Sequence, residues 1–190
     1  MILNTIIMSQ TLRDFEGHEA NFLPSFLFND ILRMWRTFCV NYEGYRKDGN
    51  SRNKIKNLKL KFSRMLTCYS AIVYLLAIYA KNSTVRPDDV REMVSLTPTR
   101  RLERLADCSF WGKDKDISII QQIVFQALDG YSQFLELTHL EEKKAAKKYD
   151  ANEVHWRERS YIFGESLSSL VDVLGKASGD AGRLRRLIII

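Results

Sequence analysis

The stretch "ISIIQQIVFQALDGYSQFL" (Ile117–Leu135) decides the fold class, because its apolar residues recur at steps of three and four. This spacing places them on one face of an α-helix over five turns. The chain has only nine Gly and three Pro, and no segment alternates apolar and polar residues over the length of a strand. The sequence therefore predicts an all-α fold.

The same helical period appears in other segments and predicts a helical bundle. A length of 190 residues suits one domain. We expect an N-terminal arm over residues 1–24, then a single bundle over residues 25–190 with four long helices and two or three short ones. Asn29 and Asp30 are predicted to cap the first long helix, and Thr97 to cap a short one. The long helices are expected at about 29–43, 53–81, from 114 or 116 to at least 135, and 153–176.

Composition sets limits on the kind of protein. The net charge of +6 and the pI of about 9.2 permit binding to nucleic acid or to an acidic protein surface. Cys39, Cys68 and Cys108 form no CxxC pair, which argues against a cysteine zinc site and fits a reducing cytosol. We expect a cytoplasmic protein without metal or cofactor. The apolar run 66–80 is shorter than about 18 residues, which predicts a buried helix and no membrane contact.

Basic residues gather on two predicted helices joined by one loop, which we call the basic helix pair. Antiparallel neighbours would bring their polar stripes close together. One interpretation is a solvated surface, which is the usual role of such charges. The other is a face that attracts an anion, such as a nucleotide, RNA or an acidic partner. The basic residues are Arg33, Arg36, Arg52, Lys56, Lys59 and Arg64.

Three blocks, "FNDILRMWRTFCVNYE", "RNKIKNLKLKFSRML" and "LTPTRRLERL", resemble a family of bacterial proteins assigned as nucleotidyltransferases. The family pattern is roughly N-D-hydrophobic-x-R-x-W/Y-R-T, followed by R-N-x-K-L-x-x-S-R. The likeness runs from about Phe26 to the C-terminus and implies the helical C-terminal half of that family. The catalytic half, with its Gly-Ser turn and Asp-x-Asp pair, has no counterpart, since "DKD" (114–116) lacks the Gly-Ser partner. The matching positions are Asn29, Asp30, Arg33, Trp35, Arg36, Thr37, Asn53, Lys59, Leu60, Ser63 and Arg64.

The resemblance implies a non-catalytic accessory or substrate-binding module that works with a nucleotidyltransferase domain or subunit. Two-metal nucleotidyl transfer needs clustered carboxylates, and the sequence predicts none. The basic helix pair would then meet the nucleotide, the substrate or the catalytic partner. The expected binding residues are Asn29, Asp30, Arg33, Arg36, Arg52, Asn53, Lys56, Lys59, Ser63 and Arg64.

Two other functions stay open at this point. The string "RDFEGH" fits the loose R-polar-x3-H pattern of HEPN ribonucleases, a family that includes toxins acting as helical partners of minimal nucleotidyltransferases. That resemblance implies metal-independent RNA cleavage, with His18 as acid or base and Arg13 steadying the phosphate. The other function is a basic helical bundle that binds nucleic acid. Self-association is also left open by the sequence.

Overall fold

The computed structural model describes Phe15 and residues 20–46, 51–112 and 116–177, apart from the side chains of residues 45, 46, 51 and 52. All regular structure within these ranges is helical, so the all-α prediction is confirmed. A π-helical segment, Leu60–Arg64, joins the second helix to the third. The α-helices are α1 (Ser25–Arg46), α2 (Ser51–Lys59), α3 (Met65–Asn82), α4 (Pro87–Ser95), α5 (Pro98–Ala106), α6 (Cys108–Trp111), α7 (Ser118–Thr138), α8 (Glu142–Ala151) and α9 (Glu153–Ala177).

Helix α3 lies at the centre of the core. Its residues 72 to 77 are fully buried in succession, as expected for a helix that is apolar nearly all round. The helical run Asn53–Asn82 is long and apolar enough to cross a membrane by length and composition. However, 67% of its apolar window is buried inside the protein. Neighbouring helices therefore cover most of the surface that makes this run apolar.

Helix α9 runs in the same direction as α2, the π segment and α3. Lys54 Nζ lies 2.9 Å from Glu153 Oε2, and Lys61 Nζ lies 3.5 Å from Ser160 Oγ. Both pairs are separated by 99 residues in sequence. An equal offset at two levels means that residue numbers rise together along the two helices.

Helix α1 is the antiparallel neighbour of the same run. The rings of Trp35 and Tyr69 meet edge to face, with centroids 6.2 Å apart. Further along α1, the guanidinium of Arg64 lies 5.0 Å from the centroid of the Phe38 ring. Residue numbers rise on α1 while they fall on its neighbour, so the basic helix pair forms an antiparallel hairpin.

The start of α1 differs from the prediction. The helix begins at Ser25, so Asn29 and Asp30 lie inside it and do not cap it. The amide of Phe28 donates to the carbonyl of Pro24 at 3.1 Å, which closes the first turn. The predicted cap was wrong because the buried face already includes Phe28 and its neighbour Leu27, so packing extends the helix one turn earlier.

Other helix starts follow their polar signals. The hydroxyl of Thr97 accepts from the amide of Arg100 at 3.3 Å, which confirms the predicted N-cap of α5. Before α7, Asp116 Oδ1 accepts from the amide of Ser118 at 2.9 Å. These side chains satisfy amides that have no partner within their own helix.

The described part of the N-terminal arm packs on the bundle. The carbonyl of Phe22 accepts from the amide of Val85 at 2.8 Å, in the connection between α3 and α4. The Phe22 ring also meets Phe15 with centroids 4.8 Å apart, and Phe15 is only 9% exposed. These residues therefore belong to the core of the bundle.

The π segment interrupts the α-helical register between α2 and α3. Phe62 in this segment is fully buried and packs against Phe134 and Phe163, with ring centroids 4.8 Å away in each case. The preceding residue, Lys61, is half-buried beside α9. Single π turns inside α-helices occur frequently at functional sites, which directs attention to this level of the bundle.

Candidate functional site

The predicted binding residues on the first half of α1 interact within their own helix. Arg33 Nη1 lies 3.1 Å from Asp30 Oδ1, and the two side chains are 77% and 47% exposed. An exposed pair at this spacing contributes little to stability because water and salt screen it. These two residues remain accessible on the surface of α1.

Two adjacent predicted residues of the π segment face different neighbours. Ser63 Oγ lies 3.5 Å from the hydroxyl of Tyr131 on α7, and the Ser63 side chain is half-buried. Arg64 is exposed and covers the ring of Phe38 on α1. Ser63 and Arg64 therefore do not converge on one ligand position.

The remaining predicted binding residues differ in accessibility. Asn53 is 6% exposed, Asn29 and Lys56 are half-buried, and Arg36 and Lys59 are exposed. Arg36, Asn53 and Lys56 each contact other parts of the chain. The side chain of Arg52, together with the predicted ribonuclease pair Arg13 and His18, lies outside the described residues.

The basic helix pair carries a long stripe and not a compact site. Arg33 on α1 lies near the level of Tyr69, because Trp35, two residues later on the same helix, contacts the Tyr69 ring. Asn53 stands sixteen positions before Tyr69 on the continuous helical run, which corresponds to about 24 Å at 1.5 Å per residue. The predicted residues are therefore too widely spread to hold one small ligand together.

The structure instead brings polar residues together around a cavity of about 200 Å³. The cavity lies where α1, α2, the π segment, α8 and α9 meet. It touches the basic helix pair on one side and the parallel helix α9 on the other. Its lining residues are Tyr42, Lys54, Asn57, Leu58, Lys61, Tyr149, Glu153, Trp156, Arg157 and Ser160.

Two cations of the cavity wall have no carboxylate partner. Neither Lys61 nor Arg157 forms an ion pair within 4.0 Å in the part of the chain that the structure describes. Burial lowers the pKa of Lys61 below its ordinary value, and the nearby charge of Arg157 lowers it further. Among the described residues, the ammonium of Lys61 contacts the hydroxyl of Ser160 and the ring of Tyr161, the latter at 5.2 Å. An anion in the cavity would relieve this repulsion.

Neutral donors add to the cationic ones. Tyr149 and Trp156 are each 6% exposed, and within the described ranges neither side chain makes a hydrogen bond. Neither polar atom is sealed from solvent, so both can donate to a molecule in the cavity. The pKa of Tyr149 is raised by burial and then by the charge of Glu153, which keeps its hydroxyl protonated at neutral pH.

The carboxylate in the cavity wall is already compensated. Glu153 Oε2 lies 2.9 Å from Lys54 Nζ, and the same ammonium lies 3.1 Å from Asp150 Oδ1. The pKa of Lys54 is raised, chiefly by its hydrogen bonds to Glu153 and then Asp150. This ion-pair cluster joins α2 to the start of α9 and leaves Lys61 and Arg157 as the uncompensated charges.

The chemistry of the cavity is that of an oxyanion-binding site. Two cations that lack a carboxylate partner among the described residues and two neutral groups face it, and all four are hydrogen-bond donors at neutral pH: Lys61, Arg157, Tyr149 and Trp156. Among the described residues, no group of three His, Cys, Asp or Glu side chains is placed to hold a metal ion. The cavity therefore suits binding of an anion more than acid–base or metal chemistry.

The cavity borders the basic helix pair, but none of its lining residues is among the binding residues predicted from the sequence. Lys54, Asn57 and Lys61 recur at three- and four-residue steps, which predicts one polar face on the second helix. Glu153, Arg157 and Ser160 repeat that spacing on the last helix. This signal was available, but the meeting of the two faces depends on the parallel register of α9, which no local pattern specifies.

No protein-family model, curated protein or solved structure matches this chain.

Proposed function

We propose that this chain is a non-catalytic helical module of a nucleotidyltransferase system that binds an anionic ligand through its basic helix pair. The ligand is a nucleotide, a substrate or an acidic face of the catalytic partner. The link to nucleotidyl transfer rests on the sequence resemblance of the α1, α2 and α5 blocks. The binding role has support from the geometry of the bundle.

The observation that carries the binding role is the convergence of Lys61 and Arg157 on one cavity, where neither cation has a carboxylate within 4.0 Å among the described residues. Keeping like charges close together costs free energy, since each disfavours the charged form of the other. The pKa of Lys61 is lowered, chiefly by burial and then by the nearby charge of Arg157. A fold that keeps such a pair beside unpartnered donors is well suited to bind a complementary anion.

Calorimetric titration with ATP tests the proposal, with Arg36→Ala/Arg64→Ala as the variant of the exposed stripe. We expect saturable binding by the wild type. Charge-assisted hydrogen bonds contribute about 1.5–3 kcal/mol each, so the double variant should bind more weakly if the stripe contacts the ligand. Melting curves of both proteins show whether a loss of binding reflects a loss of folding. If the wild type and the double variant bind ATP with equal affinity and melt at the same temperature, the exposed stripe does not contact the ligand.

The non-catalytic part of the proposal has a separate test. The purified chain, incubated with labelled ATP and Mg²⁺, should incorporate no label into itself or into added RNA. Steady incorporation that survives repurification and stops on chelation would contradict the proposal.

A second function, nucleic-acid binding, is favoured by the length of the stripe. The basic stripe between Lys56 and the level of Arg33 spans about 20 Å of the continuous helical run and can follow several successive phosphates of a nucleic acid strand. Binding of single-stranded RNA should then weaken steeply as salt rises from 50 to 200 mM, because counterions are released on binding. Affinity that is insensitive to salt would exclude this function.

A further inference from the structure

We infer that the cavity between α2, the π segment, α8 and α9 binds the phosphate of a nucleoside monophosphate-sized phosphomonoester. This inference rests on the proposed function and makes it specific, since it names the ligand class and the residues that recognise it. Lys61 and Arg157 would neutralise the phosphate, while Tyr149 and Trp156 would donate to its oxygens. The nucleoside would lie at the mouth of the cavity.

The charges and donors match a phosphomonoester better than a carboxylate. A phosphomonoester carries close to two negative charges at pH 7 and has three strongly accepting oxygens. The cavity offers two uncompensated cations, and the guanidinium of Arg157 can donate two parallel hydrogen bonds to such a group. A carboxylate would bring one charge and two oxygens, leaving one cation and at least one buried donor unpartnered.

The volume of the cavity limits how much of the ligand enters it. Drug-sized ligands occupy pockets of about 300–1,000 Å³, so about 200 Å³ is too small for a whole nucleotide. It accommodates a phosphate and the atoms next to it. A duplex, which presents phosphates on a convex surface, would not insert a group into a cavity enclosed by five helical segments.

An exposed aromatic side chain stands beside the cavity. Tyr161 directly follows the lining residue Ser160, is 65% exposed, and has its ring 5.2 Å from Lys61 Nζ. Aromatic side chains bind bases by stacking, which contributes affinity without requiring one particular base. Tyr161 thus gives the nucleoside a contact that inorganic phosphate cannot make.

The test is calorimetric titration at pH 7 with AMP, adenosine and inorganic phosphate as separate probes. We expect the wild type to bind AMP most tightly, inorganic phosphate more weakly, and adenosine too weakly to measure. Lys61→Gln and Arg157→Gln should each weaken AMP binding by about tenfold or more, the usual effect of removing a charge-assisted hydrogen bond. Tyr161→Ala should weaken AMP binding but leave phosphate binding unchanged. The matched control is Lys176→Gln, which removes the same charge from an exposed position on α9, nineteen residues beyond Arg157, and should change affinity less than twofold.

Arg157 and Tyr161 are exposed, so their variants keep the inference testable if Lys61→Gln affects folding. Equal losses in Lys176→Gln and Lys61→Gln would overturn the inference, because a diffuse charge would then explain the binding. Adenosine binding as tight as AMP would overturn it as well. If ATP binds and responds to Arg36→Ala/Arg64→Ala but not to Lys61→Gln, the inference fails while the proposed function stands. If neither ATP nor AMP binds, the further inference is wrong and the proposed function loses its nucleotide ligand. Binding to a catalytic partner is then what remains of the proposed function.

Discussion

The rings of Phe62 and Phe134 are stacked with their planes 6° apart and their centroids separated by 4.8 Å. Phe62 belongs to the π segment and Phe134 to α7, and both are buried. The contact fixes the inner side of the π segment against the core. Lys61, the residue before Phe62, is thereby held at the wall of the cavity.

Replacing Phe62 by alanine should destabilise the protein by about 3–5 kcal/mol, because it removes a fully buried ring and leaves a cavity. Urea unfolding followed by circular dichroism measures this loss. The control is Phe125→Ala on α7, where the side chain is 61% exposed and the expected change is within about 0.5 kcal/mol. A loss below about 1 kcal/mol for Phe62→Ala would show that the stacked rings are not a rigid part of the core.

Alanine at Gly130 should stabilise the protein. Gly130 lies in the middle of α7, and a Cβ added there would meet the Phe163 ring at 3.9 Å, an ordinary van der Waals distance. Glycine inside a helix costs about 0.5–1 kcal/mol relative to alanine, so the melting temperature should rise by about 1–4 °C.

A contrasting glycine serves as the control. Gly112 follows α6 with φ +93°, a conformation that alanine adopts only with strain. Gly112→Ala should therefore cost about 1–3 kcal/mol and lower the melting temperature. If Gly130→Ala also lowered it, the space next to Phe163 would be tighter than the structure shows.

A half-buried arginine joins three helices and should not tolerate lysine. Arg101 Nε donates to the carbonyl of Met93 at 2.8 Å in the last turn of α4. Its Nη1 lies 3.4 Å from both the carbonyl of Thr67 and the hydroxyl of Ser70 on α3. Burial lowers the pKa of Arg101 to about 10, which leaves the guanidinium charged at neutral pH.

Arg101→Lys keeps the charge but cannot reproduce the planar fork of donors. We expect a loss of about 1–3 kcal/mol, since the helix-end carbonyl of Met93 would lose its buried donor. Thermal unfolding measures this loss. The control is Arg100→Lys, whose exposed side chain pairs with Glu103 one turn away and should change stability by less than about 0.5 kcal/mol. An equal effect at the two positions would refute a specific role for Arg101.

The fold could be predicted from sequence wherever a local pattern and the packing agree. The apolar period of Ile117–Leu135 specifies α7, and Thr97 followed by Pro98 marks the start of α5. The start of α1 could not be located from Asn29, because burial of Leu27 and Phe28 outweighs the preference of a capping residue. Tertiary packing decides such boundaries, and one sequence does not display it.

The candidate site was predictable only in part, for a related reason. The basic residues of the second helix were visible as a stripe, and Lys54, Asn57 and Lys61 share a face by spacing alone. Their partner Arg157 comes from the last helix, whose parallel alignment with the second depends on the packing of the whole core. The π segment could not be predicted either, because nothing in "LKFSR" distinguishes a π turn from an α turn.

The affinity of the cavity for a phosphomonoester should fall at alkaline pH. The fall should begin at a lower pH than the titration of an ordinary lysine would give. Burial and Arg157 lower the pKa of Lys61 in the free protein, and a bound phosphate raises it again by attraction. The bound state therefore holds the Lys61 proton more tightly than the free state. Binding takes up a proton once the pH passes the free-state pKa, so affinity begins to decrease at a pH below 10.5, the ordinary lysine value.

Other groups around the cavity should not produce this change. The phosphate itself is fully charged above about pH 7, since its second pKa is near 6. The pKa values of Tyr149 and Lys54 are raised by their surroundings, so both groups keep their protons to higher pH than usual.

Lys61→Arg provides the matched comparison, because an arginine keeps its charge across the same range. Titrations with AMP between pH 7 and pH 10 should show a falling affinity for the wild type and a nearly constant one for Lys61→Arg. Parallel curves for the two proteins would mean that Lys61 does not contact the ligand.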